Sequence, residues 1–129
     1  MILVDSSVWI DYFNDIATRE TDLLDDLLGR EPILTGDLII AEVLQGFRSD
    51  ADYRKAKAAL DDLLYEPMVG REIAIANARN YRKLRAKGIT VRKTIDMLIA
   101  TFCLENRHSL LHADRDFDAI AEHLGLVVV

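Results

Sequence analysis

One cysteine among 129 residues leaves no disulfide framework and no cysteine-based zinc site, and it suits a reducing compartment. Two prolines and six glycines exclude a collagen-like or low-complexity chain. No apolar run approaches the roughly 20 residues that span a bilayer. Met-Ile-Leu-Val-Asp at the start carries no basic region and reaches an acid at position 5, so no signal peptide and no membrane association are expected. What is there instead is a chain 50% hydrophobic and 29% charged, too apolar for disorder. At roughly 150 residues per domain it predicts one domain over residues 1–129, burying about two-thirds of its unfolded surface. A compact, soluble, cytoplasmic protein is the expectation.

The net charge of -6 hides a division along the chain. Met1 to Glu42 holds ten acids, opposed only by Arg19 and Arg30. Ile73 to Ile95 holds no acid, and Arg79, Arg82, Lys83, Arg85, Lys87, Arg92 and Lys93 fall there. An acidic chain is a poor bulk nucleic-acid binder, yet a local basic strip can hold a phosphate backbone. A solvated helix face is the alternative reading.

Short apolar runs alternate with helical patterns. Ile2–Val4 reads as a strand, and Asp5-Ser6-Ser7 supplies capping chemistry for an amphipathic stretch through Tyr12-Phe13. Thr18 or Thr21 can cap the Leu23/Leu24/Leu27/Leu28 segment, which Gly29 stops. Pro32 opens the run Ile33-Leu34-Thr35, and Gly36-Asp37 leads into a helix from Leu38 to Phe47. Ser49-Asp50 caps a helix through Leu64, with Tyr65–Val69 a weaker strand interrupted by Pro67. Ile73–Lys87 is a helix stopped by Gly88, and Thr94–Asn106 an apolar helix. Leu110–Ala113 reads as a strand, Asp116–Leu124 as a helix and Leu126–Val129 as a closing strand. The order predicts an α/β domain with a small parallel sheet covered on both faces.

Four acids stand in unexpected company. Asp5 and Asp114 follow strands, at their C-terminal ends. Glu42 lies within Leu38-Ile39-Ile40-Ala41-Glu42-Val43-Leu44, and Asp96 opens the apolar helix at Thr94. Ligands of parallel α/β sheets bind outside the carboxyl ends of the strands, so all four can converge on one cleft. Converging carboxylates repel unless a cation neutralises them, and an all-oxygen cluster suits Mg²⁺ or Mn²⁺. Taken singly, Asp5, Asp96 and Asp114 also read as caps or first-turn acids, whereas Glu42 on an apolar face needs a partner. Asp116 is a fifth member or the cap of the last helix.

Other candidates carry less. His112 reads as structural, and His108 and His123 have no partner motif. Cys103 lies on an apolar helix face, and Trp9, Tyr12 and Phe13 suit core or dimer packing. The leucine stripe is core or a groove for a partner helix.

Four blocks carry a family resemblance: Ile-Leu-Val-Asp5-Ser6-Ser7-Val-Trp9, Ala41-Glu42-Val43-Leu44-Gln45-Gly46, Thr94-Ile95-Asp96-Met-Leu98-Ile99-Ala100 and Leu110-Leu111-His112-Ala-Asp114-Arg115-Asp116-Phe117. In this order they resemble the PIN-domain ribonucleases of the VapC toxin type. The resemblance implies a flavodoxin-like three-layer α/β/α sandwich and Mg²⁺-dependent cleavage of RNA, with Mn²⁺ able to substitute. It implies Asp5, Glu42, Asp96 and Asp114 as the catalytic, metal-holding quartet, with Asp5 and Asp96 the direct ligands. Ser7 would support the site by hydrogen bonds, and Asp116 matches an additional acid of many members. The resemblance also implies a homodimer bound by a VapB-type antitoxin, and products with 5′-phosphate and 3′-hydroxyl ends. The basic strip Arg79–Lys93 would hold the RNA backbone. Arg115, between two acids, is a candidate to steady a carboxylate or touch a phosphate.

Two other readings stay open. A phosphoryl-transfer domain also puts an Asp after the first strand. A dehalogenase-type phosphatase wants Asp two residues later, where this chain has Ser7, and a receiver domain wants an acidic pair there. A non-catalytic RNA- or protein-binding module would use the acids only as caps.

Overall fold

The computed structural model describes residues 1–129, and its order of elements follows the alternation of apolar runs and helical patterns. Strand β1 is Ile2–Val4, followed by α1 (Ser6–Phe13) and α2 (Arg19–Leu27). Strand β2 is Ile33–Gly36, followed by α3 (Asp37–Gln45) and α4 (Asp50–Asp61). Strand β3 is Leu64–Glu66, and α5 (Arg71–Ala86) and α6 (Thr94–Asn106) lead to β4 (Ser109–Leu111). A 3-10 turn at Arg115–Phe117 enters α7 (Asp118–Leu124). No helix is long and apolar enough to cross a membrane.

The four strands are all parallel, in the order β3-β2-β1-β4. The chain therefore steps outward from β1 to β3, then returns across the sheet to place β4 on the other side of β1. Right-handed crossovers put helices of opposite travel on opposite faces. Accordingly α1 packs on α2 and α3, and α3 on α4, while α5 packs on α6 and α7. Both faces of the central strands are thus covered, which is why Leu3, Val4, Leu34, Leu110 and Leu111 are wholly buried. Each such Val or Leu contributes about 1.5–3 kcal/mol of apolar burial.

Local chemistry sets the helix ends. Thr18 caps α2 through its hydroxyl, and Thr21 returns a bond to the Thr18 N–H, so both candidate caps take part. Ser49 caps α4. Gly88, at φ 78°, takes the left-handed conformation just past α5. Gly36 is needed for space: a Cβ there would stand 2.7 Å from the Glu66 carbonyl oxygen and closer still to Met68.

Several boundaries differ from expectation. The fourth helix ends at Asp61, because Leu64 leaves it to pair with Leu34. Strand β3 therefore covers Leu64–Glu66, not 65–69, and Pro67 lies beyond it. It pairs on one side only, which leaves Leu64 and Tyr65 half exposed. The fourth strand is Ser109–Leu111, since His112 and Ala113 leave the ladder. The last helix starts at Asp118, after the 3-10 turn. The closing strand expected over Leu126–Val129 reduces to a single bridge between Leu110 and Val128. Phe13 stacks on Trp9 and meets Phe47 edge-on, and Tyr12 packs edge-on against both Trp9 and Phe13, so all three are packing residues. Cys103 is buried, and that burial pushes its thiol up to about 12.

Candidate metal centre

The direction of chain travel reverses between β1 and β4, and the crevice outside their C-terminal ends is where ligands of such sheets bind. The Asp5 N–H donates to the Leu111 carbonyl at 2.9 Å, which locks the two strand ends together. Asp5 then caps α1. Its Oδ2 accepts from the Ser7 N–H at 3.1 Å and the Ser7 hydroxyl at 2.6 Å. The same hydroxyl accepts the Ala113 N–H at 3.1 Å, so Ser7 ties the β1 acid to the loop after β4. Asp5 Oδ1 is buried and meets no donor. Capping α1 thus uses one oxygen of Asp5 and leaves the other unengaged.

On the β4 side, Asp114 Oδ1 accepts the Asp116 N–H at 2.9 Å, forming the turn that aims both acids back toward α6. His112 Nδ1 accepts the Asp114 N–H at 3.2 Å and its ring packs on Phe117, which makes it a support for this loop. Asp96 projects from the first turn of α6 and is 4% exposed, with Oδ2 buried and unpartnered. One carboxylate oxygen from each of Asp96, Asp114 and Asp116 lies within 4.8 Å of the others. Glu42, from α3, is held at Oε1 by the Ser6 hydroxyl at 3.0 Å. That bond answers the need of a carboxylate on an apolar helix face.

Charges couple these groups. Burial is the main cause that pushes Asp96 up to about 6, reinforced by Asp114 and Asp5 and partly offset by Lys93. Burial likewise raises Asp5 and Glu42, with hydrogen bonds from Ser7 and Ser6 working the other way. Asp114 is also pushed up by burial, but the Asp116 N–H and Lys93 outweigh it and hold it below the usual range.

The basic strip divides. Arg92 reaches Asp116 at 3.0 Å, and Lys93 reaches Asp114 at 3.3 Å and Asp116 at 3.9 Å, so both stand on the acids. Arg79, Arg82, Lys83, Arg85 and Lys87 are exposed on and after α5 and form no ion pair. Arg85 lies 5.6 Å over the Tyr81 ring. Arg115 is exposed and makes no carboxylate contact. Ser6, capping chemistry by its sequence context, also holds Glu42, and its adjacency to Asp5 is the local signal of that role. The largest cavity, about 820 Å³ between the β3–α5 loop and α6, is lined by none of these acids.

The tight group of Asp96, Asp114 and Asp116 offers only carboxylate oxygens, and the buried Asp96 Oδ2 lacks any partner; Asp5, whose Oδ1 is likewise unpartnered, and Glu42 stand outside that group. Such a set fits a hard divalent cation of the Mg²⁺ or Mn²⁺ kind, and neither zinc nor a soft metal.

Residues 2–123 match the family model described as PIN domain. The chain is 32% identical over 131 residues to ribonuclease VapC11 of Mycobacterium tuberculosis, a match covering 98% of this chain and 96% of that protein. It matches VapC ribonuclease Mb1587 of Mycobacterium bovis to the same extent. Among solved structures it is similar to VapBC2 from Rickettsia felis bound to a promoter DNA fragment, with a TM-score of 0.79 at 16% identity, over 100% of this chain and 98% of that one. A toxin–antitoxin complex from Klebsiella pneumoniae gives a TM-score of 0.73 at 20% identity, over 100% and 96%.

Proposed function

The chain belongs to the PIN-domain family, and from that premise we propose that it is a metal-dependent endoribonuclease, the toxin of a toxin–antitoxin pair. The single observation that carries the metal-dependent reading is that one oxygen each of Asp96, Asp114 and Asp116 lie within 4.8 Å of one another, on a group whose Asp96 also keeps a buried, unpartnered Oδ2. Carboxylates held that close repel, and since Arg92 and Lys93 stand on Asp116 and Asp114, Asp96 is the one left for a bound cation to neutralise. The likeness to VapC ribonucleases supports RNA as the polymer cut. Residues 1–129 then form one PIN domain working on cytoplasmic RNA. Its partners would be a second copy in a homodimer and a VapB-type antitoxin.

In this reading Asp96, Asp114 and Asp116 would hold Mg²⁺, for which Mn²⁺ would substitute, with Asp5 completing the set; Glu42, which the resemblance counts among the metal-holding acids, would stand beside them as a proton acceptor. When bound, the cation supplies Lewis acidity that makes water a competent nucleophile near neutral pH and offsets charge on the attacked phosphate. Ser7 fixes the Asp5 carboxylate, leaving Oδ1 for the cation. Ser6 holds Glu42 by Oε1, which leaves Oε2 to accept a proton from the attacking water. Arg92 and Lys93, which stand on Asp116 and Asp114 without the cation, would turn to the non-bridging oxygens of the phosphate once it is bound, and the exposed cations of α5 would hold the flanking backbone. Water attack on phosphorus with cleavage of the P–O3′ bond would leave a 5′-phosphate and, once the departing 3′ oxygen takes a proton from solvent, a 3′-hydroxyl end.

The test is cleavage of single-stranded RNA with Mg²⁺, with Mn²⁺ and with chelator, comparing wild type with Asp96→Asn. Cation-dependent cutting by wild type, 5′-phosphate products and a loss of at least about a hundredfold in the variant are expected. Equal cutting in chelator, or 2′,3′-cyclic ends, would overturn the mechanism.

A further inference from the structure

Between α5 and the start of α6 lies a second cavity of about 290 Å³, lined by Asn77, Ala78, Tyr81, Arg82, Thr94 and Met97. Thr94 and Met97 flank Asp96 on the same helical turn, so this pocket and the acidic cluster share one short piece of backbone. Its volume is at the lower limit of ordinary ligand pockets, about 300 Å³, and so suits one planar ring. Three of the lining side chains are those that bind unpaired bases. An aromatic ring and a guanidinium offer flat faces for stacking, and an amide offers a donor and an acceptor side by side.

Asn77 is the informative member. Its Oδ1 is buried and has no hydrogen-bond partner, although Asn80, one turn on, has its amide on Thr101. An unmet buried carbonyl oxygen costs stability unless something supplies a donor. The terminal torsion of Asn is soft, so the amide can turn toward the pocket when a base edge arrives. Arg82 is exposed at the same pocket and carries no carboxylate.

We propose that the α5–α6 pocket receives an unpaired nucleobase of the RNA next to the cut, stacked against Tyr81 and read at its edge by Asn77. The pocket thereby sets sequence preference, while the acidic cluster does the cutting. The inference rests on the ribonuclease reading above.

The experiment is cleavage of a pool of short single-stranded RNAs randomised in sequence, with products sequenced for wild type, Asn77→Leu and Tyr81→Leu. Leu has the branching and heavy-atom count of Asn and leaves no unmet oxygen, and thermal unfolding with and without Mn²⁺ checks that both variants fold and keep their cation response. Wild type should prefer one base at a fixed position beside the cut. Asn77→Leu should lose about tenfold of that discrimination, and Tyr81→Leu should raise KM for every sequence in parallel, since stacking is sequence-tolerant. A wild-type profile without base preference, or an Asn77→Leu profile identical to wild type, overturns the inference and leaves the nuclease reading intact. A wild type that cuts nothing in the pool overturns both.

Discussion

Lys93 Nζ stands 3.3 Å from Asp114 Oδ2, while Asp96, three residues further along the chain from Lys93, keeps a buried carboxylate oxygen that nothing meets. Two acids in one cluster are thus driven in opposite directions. Asp114, with its ammonium and backbone donors, stays charged below the usual range, whereas buried Asp96 is pushed up to about 6. A cluster with one unmet carboxylate is a receptor for positive charge.

The ordinary value for Asp96 is 3.8 and the folded one about 6, so between them the folded chain holds a proton that the unfolded chain has released. Its contribution to cation-free stability is full below about pH 4, falls as pH rises toward about 6, and stays lost above. Asp114 opposes this trend, its contribution disappearing as acid titrates it. Asp96→Asn should therefore raise cation-free stability near neutral pH by about 1–2 kcal/mol, after allowance for solvent screening. It should change little below about pH 4. Urea unfolding at the two pH values measures this, and an equal gain at both would refute it.

Cation binding should appear as heat stability. At about 100 times its Kd, Mn²⁺ should stabilise wild type by about 2.7 kcal/mol, a rise in Tm on the order of 10 °C. Asp96→Asn should show little or none of it. A response of equal size in the variant would remove Asp96 from the ligand set.

Ser7→Ala should be costly for so small a change. It takes the hydroxyl from Asp5 and leaves the Ala113 N–H without its acceptor. A loss of about 1–3 kcal/mol is expected, together with weaker cation binding because Asp5 is no longer held. Ser6→Ala removes only the bond to Glu42 and should cost less. Chemical denaturation of both variants gives the order, and the reverse order would show that Ser7 does not tie the strand ends together.

Lys93→Gln should separate cation binding from RNA binding. Without the ammonium on Asp114 and Asp116, Mn²⁺ should bind several-fold tighter, as measured by calorimetry. Binding of an uncleavable RNA in the presence of cation should weaken, with a shallower dependence on salt. Unchanged salt dependence would mean that Lys93 serves only the carboxylates.

The sequence alone already specified the α/β alternation, because strands buried on both faces read as short apolar runs and capping groups such as Thr18 and Ser49 act within a few residues of themselves. It also marked Asp5, Glu42, Asp96 and Asp114, since each departs from its apolar surroundings in a way visible locally. Tertiary structure decided what local pattern does not carry. Strand β3 begins at Leu64 because Leu34 pairs with it, and of the last apolar run only Val128 makes a bridge, to Leu110. Asp116 joins Asp96 and Asp114 in the tight group, and Arg92 and Lys93 leave the basic strip to stand on acids more than twenty residues away in sequence. The strand order β3-β2-β1-β4 brings these loops together. Coulomb forces and buried hydrogen bonds act over a few ångströms of space, whatever the distance along the chain.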